Sequence, residues 1–297
     1  MINYKKSMLI LAFMVFGCRL YRMLNRIILA CILLLPFQFS LAESTISIAG
    51  SSTVLPVMSD AAQTYKNDNP STNITVSGGG SGTGINAVIN GIVDIGMTSR
   101  QPTEAEWVKL SEKFELIDIA RDAVAIAVSK AVIKSGVSSL SLEQIADIYR
   151  GKIKNWKDVG GFDEEILVID KEPSRGTRHV FAEVVLGDAK ARAPGASLIS
   201  GSNNEERSII TRSNQAIGML SHAWLNDDVR GITLKLDNGD TVSASPEHVL
   251  DGSYPIQRSL SLIVAKNRSE ALQSFIAFLQ SPALVPSIEK NGYLPLN

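Results

Sequence analysis

The chain of 297 residues holds two cysteines, Cys18 and Cys31, and both precede residue 43. From residue 43 onward there is no thiol, which excludes disulfides, Cys-liganded zinc and thiol catalysis in that part. Histidine is scarce as well: His179, His222 and His248 are the only three, at no metal-ligand spacing. Nor is there a surplus of positive charge. The first 42 residues carry five basic side chains and no acidic ones, so residues 43–297 keep 24 of the 29 basic residues against all 30 acidic ones, a net charge of −6. That balance offers no general field to nucleic acid or to an anionic membrane surface. Any anion bound here must be held by local groups.

What is present begins with an export signal. From Met23 the sequence reads MLNRIILACILLLPFQFSLAES, with Arg22 and Arg26 ahead of an apolar stretch over 27–37 and a small-x-small site at Ser40-Leu41-Ala42. Residues 1–42 are therefore expected to be a cleavable leader, with Met23 an alternative start, and residues 43–297 a soluble periplasmic monomer. The earlier run MLILAFMVFGC is apolar too. Arg19, Arg22 and Arg26 keep each apolar part below the ~20 residues that cross a bilayer. Cys31 is followed by more apolar residues, which does not suit lipid attachment.

After the leader there is no low-complexity linker and no charge block, and strand-like and helix-like segments alternate. STISIAG (44–50) precedes a helix over about 54–66 that repeats Val54, Val57, Met58, Ala61 and Tyr65 on one face. ITVSG (74–78) precedes a helix carrying Ile85, Val88, Ile89 and Ile92. VDIGM (93–97) and the fully apolar DAVAIAVS (122–129) follow, the latter of the type found in buried parallel sheets. ILVIDK (166–171), SLIVA (261–265) and a last helix around Leu272, Phe275, Ile276 and Leu279 complete the series. This alternation predicts an α/β fold.

Three strand-to-helix junctions share one chemistry: Gly50-Ser51-Ser52-Thr53, Gly80-Ser81-Gly82-Thr83-Gly84 and Ser174-Arg175-Gly176-Thr177-Arg178. A helix start presents N–H groups without intrahelical partners and a partial positive charge. Glycine lets the backbone come close to a ligand, and hydroxyls add donors that rotate to fit. Each loop alone could be an ordinary N-cap, since Ser and Thr are favoured there for structural reasons. Three of them at the carboxyl ends of strands favour convergence on an anion.

Competing chemistries fit less well. Gly82-Thr83-Gly84-Ile85-Asn86-Ala87 matches G-x-G-x-x-A, but the next strand ends in Thr98-Ser99-Arg100 rather than in an acidic residue. An arginine there suits NADP at best, and an exported chain has little access to nicotinamide cofactors. No Lys-Ser/Thr follows to make a P-loop, and Gly79-Gly80-Ser81-Gly82-Thr83 misses the G-x-S-x-G elbow by one residue. A secreted phosphatase or NADP-dependent enzyme is therefore disfavoured, and no catalytic residue, cofactor or metal is expected.

Taken together the motifs resemble the phosphate-binding periplasmic proteins of ABC transporters. The resemblance runs through AGSSTVLPVM (49–58), VSGGGSGTGINAVINGIVDIGMTSR (76–100), LEQIADIYRGKIKNWKDVGG (142–161), SRGTRHVFAEVVLG (174–187), NQAIGML (214–220), VLDGSYPIQRSLSLIV (249–264) and NGYLPL (291–296). It implies a type II periplasmic binding protein of two α/β lobes joined by two crossover strands, with the ligand cleft between them. The first lobe would comprise about 43–125 plus 250–297, the second about 126–249. It further implies metal-free phosphate binding and delivery to an inner-membrane permease. Carried over, the site residues are Ser51, Ser52, Thr53, Ser81, Gly82, Ser99, Gly176 and Thr177, with Arg175 or Arg178 as the cation. Two departures stand out. Where well-known members have an aspartate that accepts the proton of hydrogen phosphate, this chain has Arg100, and Asp122 is the candidate replacement acceptor. The third loop, often G-S-G-T in the family, has Arg175 in place of the serine. A receptor or sensor for another tetrahedral oxyanion is thus the alternative.

Overall fold

The computed structural model describes residues 44–296; the leader, its cleavage after Ala42 and the choice of start codon lie outside the described residues. Strands β1 (Ser44–Gly50), β2 (Thr72–Gly78), β3 (Ile95–Thr98) and β4 (Phe114–Ser129) follow one another with helices between them. The short β5 (Ser139–Ser141), β6 (Leu167–Lys171), β7 (Leu198–Ser200), β8 (Ala216–Ser221) and β9 (Val229–Gly231) come next. Last are β10 (Thr233–Lys235), β11 (Thr241–Val242) and β12 (Gln257–Ala265). Nine strands make one curled sheet in the order β2-β1-β3-β12-β4-β8-β6-β7, with β9 also paired to β4, and β11-β10-β5 form a small second sheet.

The sixteen-residue β4 is the spine of the molecule. Its first part, Phe114–Ala123, runs antiparallel to β12; its second part, Val124–Val128, runs antiparallel to β8. Two main cores follow from this division, with two smaller apolar clusters around Ile169 and Ile85 beside them. Ile46, Ile48, Met58, Met97, Leu262, Phe275 and Ile276 fill one main core, and Val124, Ile126, Tyr149, Trp156, Phe181, Ile217 and Tyr254 the other. The chain crosses between them twice, outward along β4 and back through the segment entering β12, where the Val124 amide donates to the Ile256 carbonyl at 2.7 Å. The two crossings lie side by side at the base of the cleft.

The apolar 122–129 segment is a buried strand, but its sheet is not parallel there: β8, β9 and β12 all pair with β4 antiparallel. Its unbroken apolar run reflects cover on both faces, a condition that parallel sheets share but do not own. The helix after β1 spans Leu55–Asp68, and its predicted face, Val57, Met58, Ala61 and Tyr65, is buried. The helix after β2 spans Ser81–Ile89; Ile85 and Val88 of its predicted face are buried, whereas Ile92 lies beyond its end and is exposed.

Candidate functional site

The three junctions lie at the carboxyl ends of β1, β2 and β6 and open the helices Leu55–Asp68, Ser81–Ile89 and Gly176–Phe181. None of these helices has a side-chain cap at its N-terminus. The contrast with their neighbours is informative. Thr103, Ser141, Ser202, Ser245 and Ser269 each accept from a first-turn amide of the helix they precede. Apart from Ser51 Oγ, which accepts from the Thr53 amide at 3.2 Å in the turn before its helix, the hydroxyls of these loops are turned to other uses.

Those uses are mutual. Ser51 Oγ donates to Ser99 Oγ at 2.9 Å, the Ser99 amide donates to Ser81 Oγ at 3.0 Å, and the Ser81 and Ser99 hydroxyls are 3.3 Å apart. The third loop closes against this cluster. A Cβ on Gly176 would stand 2.3 Å from the Ser81 hydroxyl and 2.5 Å from that of Ser99, so only glycine admits the approach. The Gly82 amide donates to the Ser174 carbonyl at 3.0 Å, and Asn203 Nδ2 donates to Thr53 Oγ1 at 3.0 Å. Both contacts join one core's loops to the other's. Gly80, at φ +101°, makes the turn into its helix in a conformation that side chains resist.

Between the loops lies a small pocket of about 10 Å³, close to the room that one water molecule takes. Of the predicted site residues, Ser51, Ser52, Thr53, Ser99, Arg175, Gly176 and Thr177 line it. The remaining five do not form its wall. Ser81 is fully buried just behind it on the Ser99 hydroxyl, and Gly82 is spent on the Ser174 carbonyl. Arg100 forms a bidentate pair with Glu106, at 2.7 and 2.9 Å, and donates to the Gln101 carbonyl. Arg178 is tied to Asp170 and to the carbonyls of Ala189 and Ala191. Asp122 lies beneath the pocket, not in it.

The cations at the pocket are Arg175, which pairs with the exposed Glu172 at 2.6 Å, and Lys171, which no loop motif points to. Lys171 ends β6, is 2% exposed, and meets the buried Glu206 carboxylate at 2.5 Å. Burial pushes the lysine down and the glutamate up; their attraction opposes both shifts, and Arg258 and Arg175 add to the pressure on the lysine. An arriving anion would relieve that pressure.

Arg258 is the second residue that sequence reasoning missed. It is paired directly with Asp122 in the register of β12 and β4, and its Nε and Nη2 donate to Asp122 Oδ2 at 2.9 and 2.6 Å. From there it donates to Thr177 Oγ1 at 3.0 Å and to Thr53 Oγ1 at 3.4 Å, one threonine from each side of the cleft. Asp122 also accepts from Ser221 Oγ at 2.7 Å and stands 2.8 Å from His222 Nδ1. Burial opposes its ionisation, but Arg258, His222 and Ser221 hold its carboxyl below the usual range. Asp122 thus pairs with neither Arg100 nor Arg121, and its acceptor capacity is spent on positioning Arg258.

A curled sheet divided into two cores, with three uncapped helix starts meeting in the cleft, defines a two-lobed binding-protein architecture. A family model described as a PBP superfamily domain matches residues 40–283, and the chain belongs to that superfamily. It is 31% identical over 258 residues to the phosphate-binding protein PstS of Bacillus subtilis (strain 168), covering 86% of this chain and 82% of that one. Among solved structures it is similar to a Clostridium perfringens protein assigned as a phosphate ABC transporter substrate-binding protein and crystallised with bound phosphate. That match has a TM-score of 0.78 and 32% identity over 86% of this chain and 100% of that one. An ABC-type phosphate transport receptor from Vibrio cholerae matches with a TM-score of 0.69 and 31% identity, over 84% of this chain and 100% of that one.

Proposed function

We propose that this protein binds inorganic phosphate between its lobes and hands it, in the closed form, to an inner-membrane ABC transporter permease for import. The observation that carries this reading is the convergence of three uncapped helix starts, a set of hydroxyls and two cations on one small pocket. Charge-assisted hydrogen bonds are worth about 1.5–3 kcal/mol each, and a micromolar affinity needs about 8 kcal/mol net. A handful of them, after the cost of closure, suffices. No bond need be made or broken, so the protein is a receptor and not an enzyme.

The lobes of this reading are about 43–125 with 250–297, and about 126–249, although Val124, Tyr254 and Ile256 at the crossings pack into the core of the second. The lobes turn about the crossings where Asp122 meets Arg258. Residues 1–42 act as a secretion signal cut after Ala42, and the product is a periplasmic monomer. The names of the relatives support the ligand and the transporter; the basic, apolar and small-residue succession in the leader supports the address.

Isothermal titration of residues 43–297 with inorganic phosphate tests the central claim. Stoichiometric binding at micromolar or lower dissociation constant is the expected result. Absence of heat and of any thermal shift at millimolar phosphate would sink it. The amino-terminal residue of the exported protein checks the leader: Glu43 is expected.

A further inference from the structure

The direction of the hydrogen bonds around the pocket says more about its ligand than the number of donors does. A threonine hydroxyl has one proton to give and two lone pairs to fill. Thr53 Oγ1 receives Asn203 Nδ2 at 3.0 Å and Arg258 Nη2 at 3.4 Å, so both lone pairs are taken and only its proton is free. Thr177 Oγ1 receives Arg258 Nη1 at 3.0 Å and is biased the same way. Lys171 and Arg175 have no acceptor to offer at all. No carboxylate is found among the described residues that line the pocket; Glu206 and Glu172 stand behind the two cations, each engaged by its partner. Asp122 is turned away toward Arg258, Ser221 and His222.

This matters because hydrogen phosphate carries a proton and sulfate does not. A buried carboxylate aimed at that proton would be left facing a bare oxygen by sulfate, and sites built on such a partner reject the wrong ligand by roughly 10⁴–10⁵-fold. Among the side chains of this wall Ser52 keeps a neutral hydroxyl that rotates to accept from one anion and donate to the other. The Ser99 hydroxyl already receives that of Ser51.

We propose that the pocket recognises tetrahedral dianions by shape and charge without reading a proton, so that sulfate competes with phosphate for it. The proposal rests on the phosphate-receptor reading and narrows it to a receptor of weak oxyanion selectivity. Titration of residues 43–297 with sodium phosphate, with sodium sulfate, and with phosphate in the presence of sulfate tests it. Sulfate is expected to bind within about 100-fold of phosphate and to displace it. Phosphate binding that sulfate neither matches to within that factor nor displaces overturns the proposal and leaves the phosphate-receptor reading standing. If neither anion binds, both fall.

Discussion

Arg258 and Asp122 face each other across β12 and β4 at the point where the chain passes between its two cores, and both side chains are almost wholly withdrawn from water. The aspartate fixes the guanidinium, and the guanidinium reaches one threonine of each lobe. Removing one partner of a buried pair leaves an uncompensated charge, at a cost of about 3–5 kcal/mol. Asp122→Asn should therefore lower the unfolding free energy by about that amount in urea titration. A loss below about 1 kcal/mol would mean that water reaches Arg258 after all.

The same pair sets a pH dependence. Asp122 is held below the ordinary carboxylate value, against the push of burial, by Arg258, His222 and Ser221. The stability it contributes is complete above its unfolded pKa of about 3.9 and is lost as pH falls through its lower folded value. The difference in urea midpoint between the native chain and Asp122→Asn should be constant near neutrality and should shrink on acidification. A difference that widens in acid contradicts the assignment.

Gly176 offers a steric test of closure. An added methyl would meet the hydroxyls of Ser81 and Ser99 at 2.3 and 2.5 Å, while the lobes themselves need not change. Overpacking of this kind costs about 1–3 kcal/mol. Gly176→Ala should weaken phosphate binding about tenfold or more with little change in melting temperature without ligand. Unaltered affinity would show that the third loop does not dock as described.

The arginines should separate by role. Arg175 is in the pocket wall and its partner Glu172 is exposed, so Arg175→Ala returns that carboxylate to water and leaves the fold intact. Affinity for phosphate should drop about tenfold or more. Arg100 is committed to Glu106 and lies outside the wall, so Arg100→Ala should change affinity by no more than about threefold, below 1 kcal/mol. Titration calorimetry on both variants decides; equal losses would return Arg100 to the site.

The contrast between these residues shows what the sequence could tell. Ser51, Thr53, Gly176 and Thr177 were legible because strand, small-residue loop and helix start are consecutive, and that local order already implies exposed amides at a strand's carboxyl end. Arg258 was not. Its partners Asp122, Thr177 and Thr53 lie 136, 81 and 205 positions away, and only the pairing of β12 with β4 brings them together. Lys171 ends the run ILVIDK, where a lysine ordinarily reads as the exposed end of a strand. Its burial depends on Glu206, from a helix whose packing no local pattern reveals. The antiparallel setting of 122–129 was hidden for a related reason: an apolar run reports cover, not the direction of neighbouring strands.

Lys171 needs a paired substitution, because Lys171→Met alone would strand the Glu206 carboxylate in the core. Glu206 also accepts from Ser200 Oγ and from the Met219 amide, and a glutamine keeps an oxygen for the amide and an NH₂ for the hydroxyl. The double variant Lys171→Met, Glu206→Gln removes both charges while preserving most of the packing and hydrogen bonds. Its unfolding free energy should stay within about 1 kcal/mol of the native chain, since replacing a whole buried pair is often near neutral. Phosphate affinity should fall about ten- to a hundredfold, the worth of one charge-assisted contact. Retained stability together with undiminished affinity would assign Lys171 to the fold alone and leave Arg175 as the cation the anion meets.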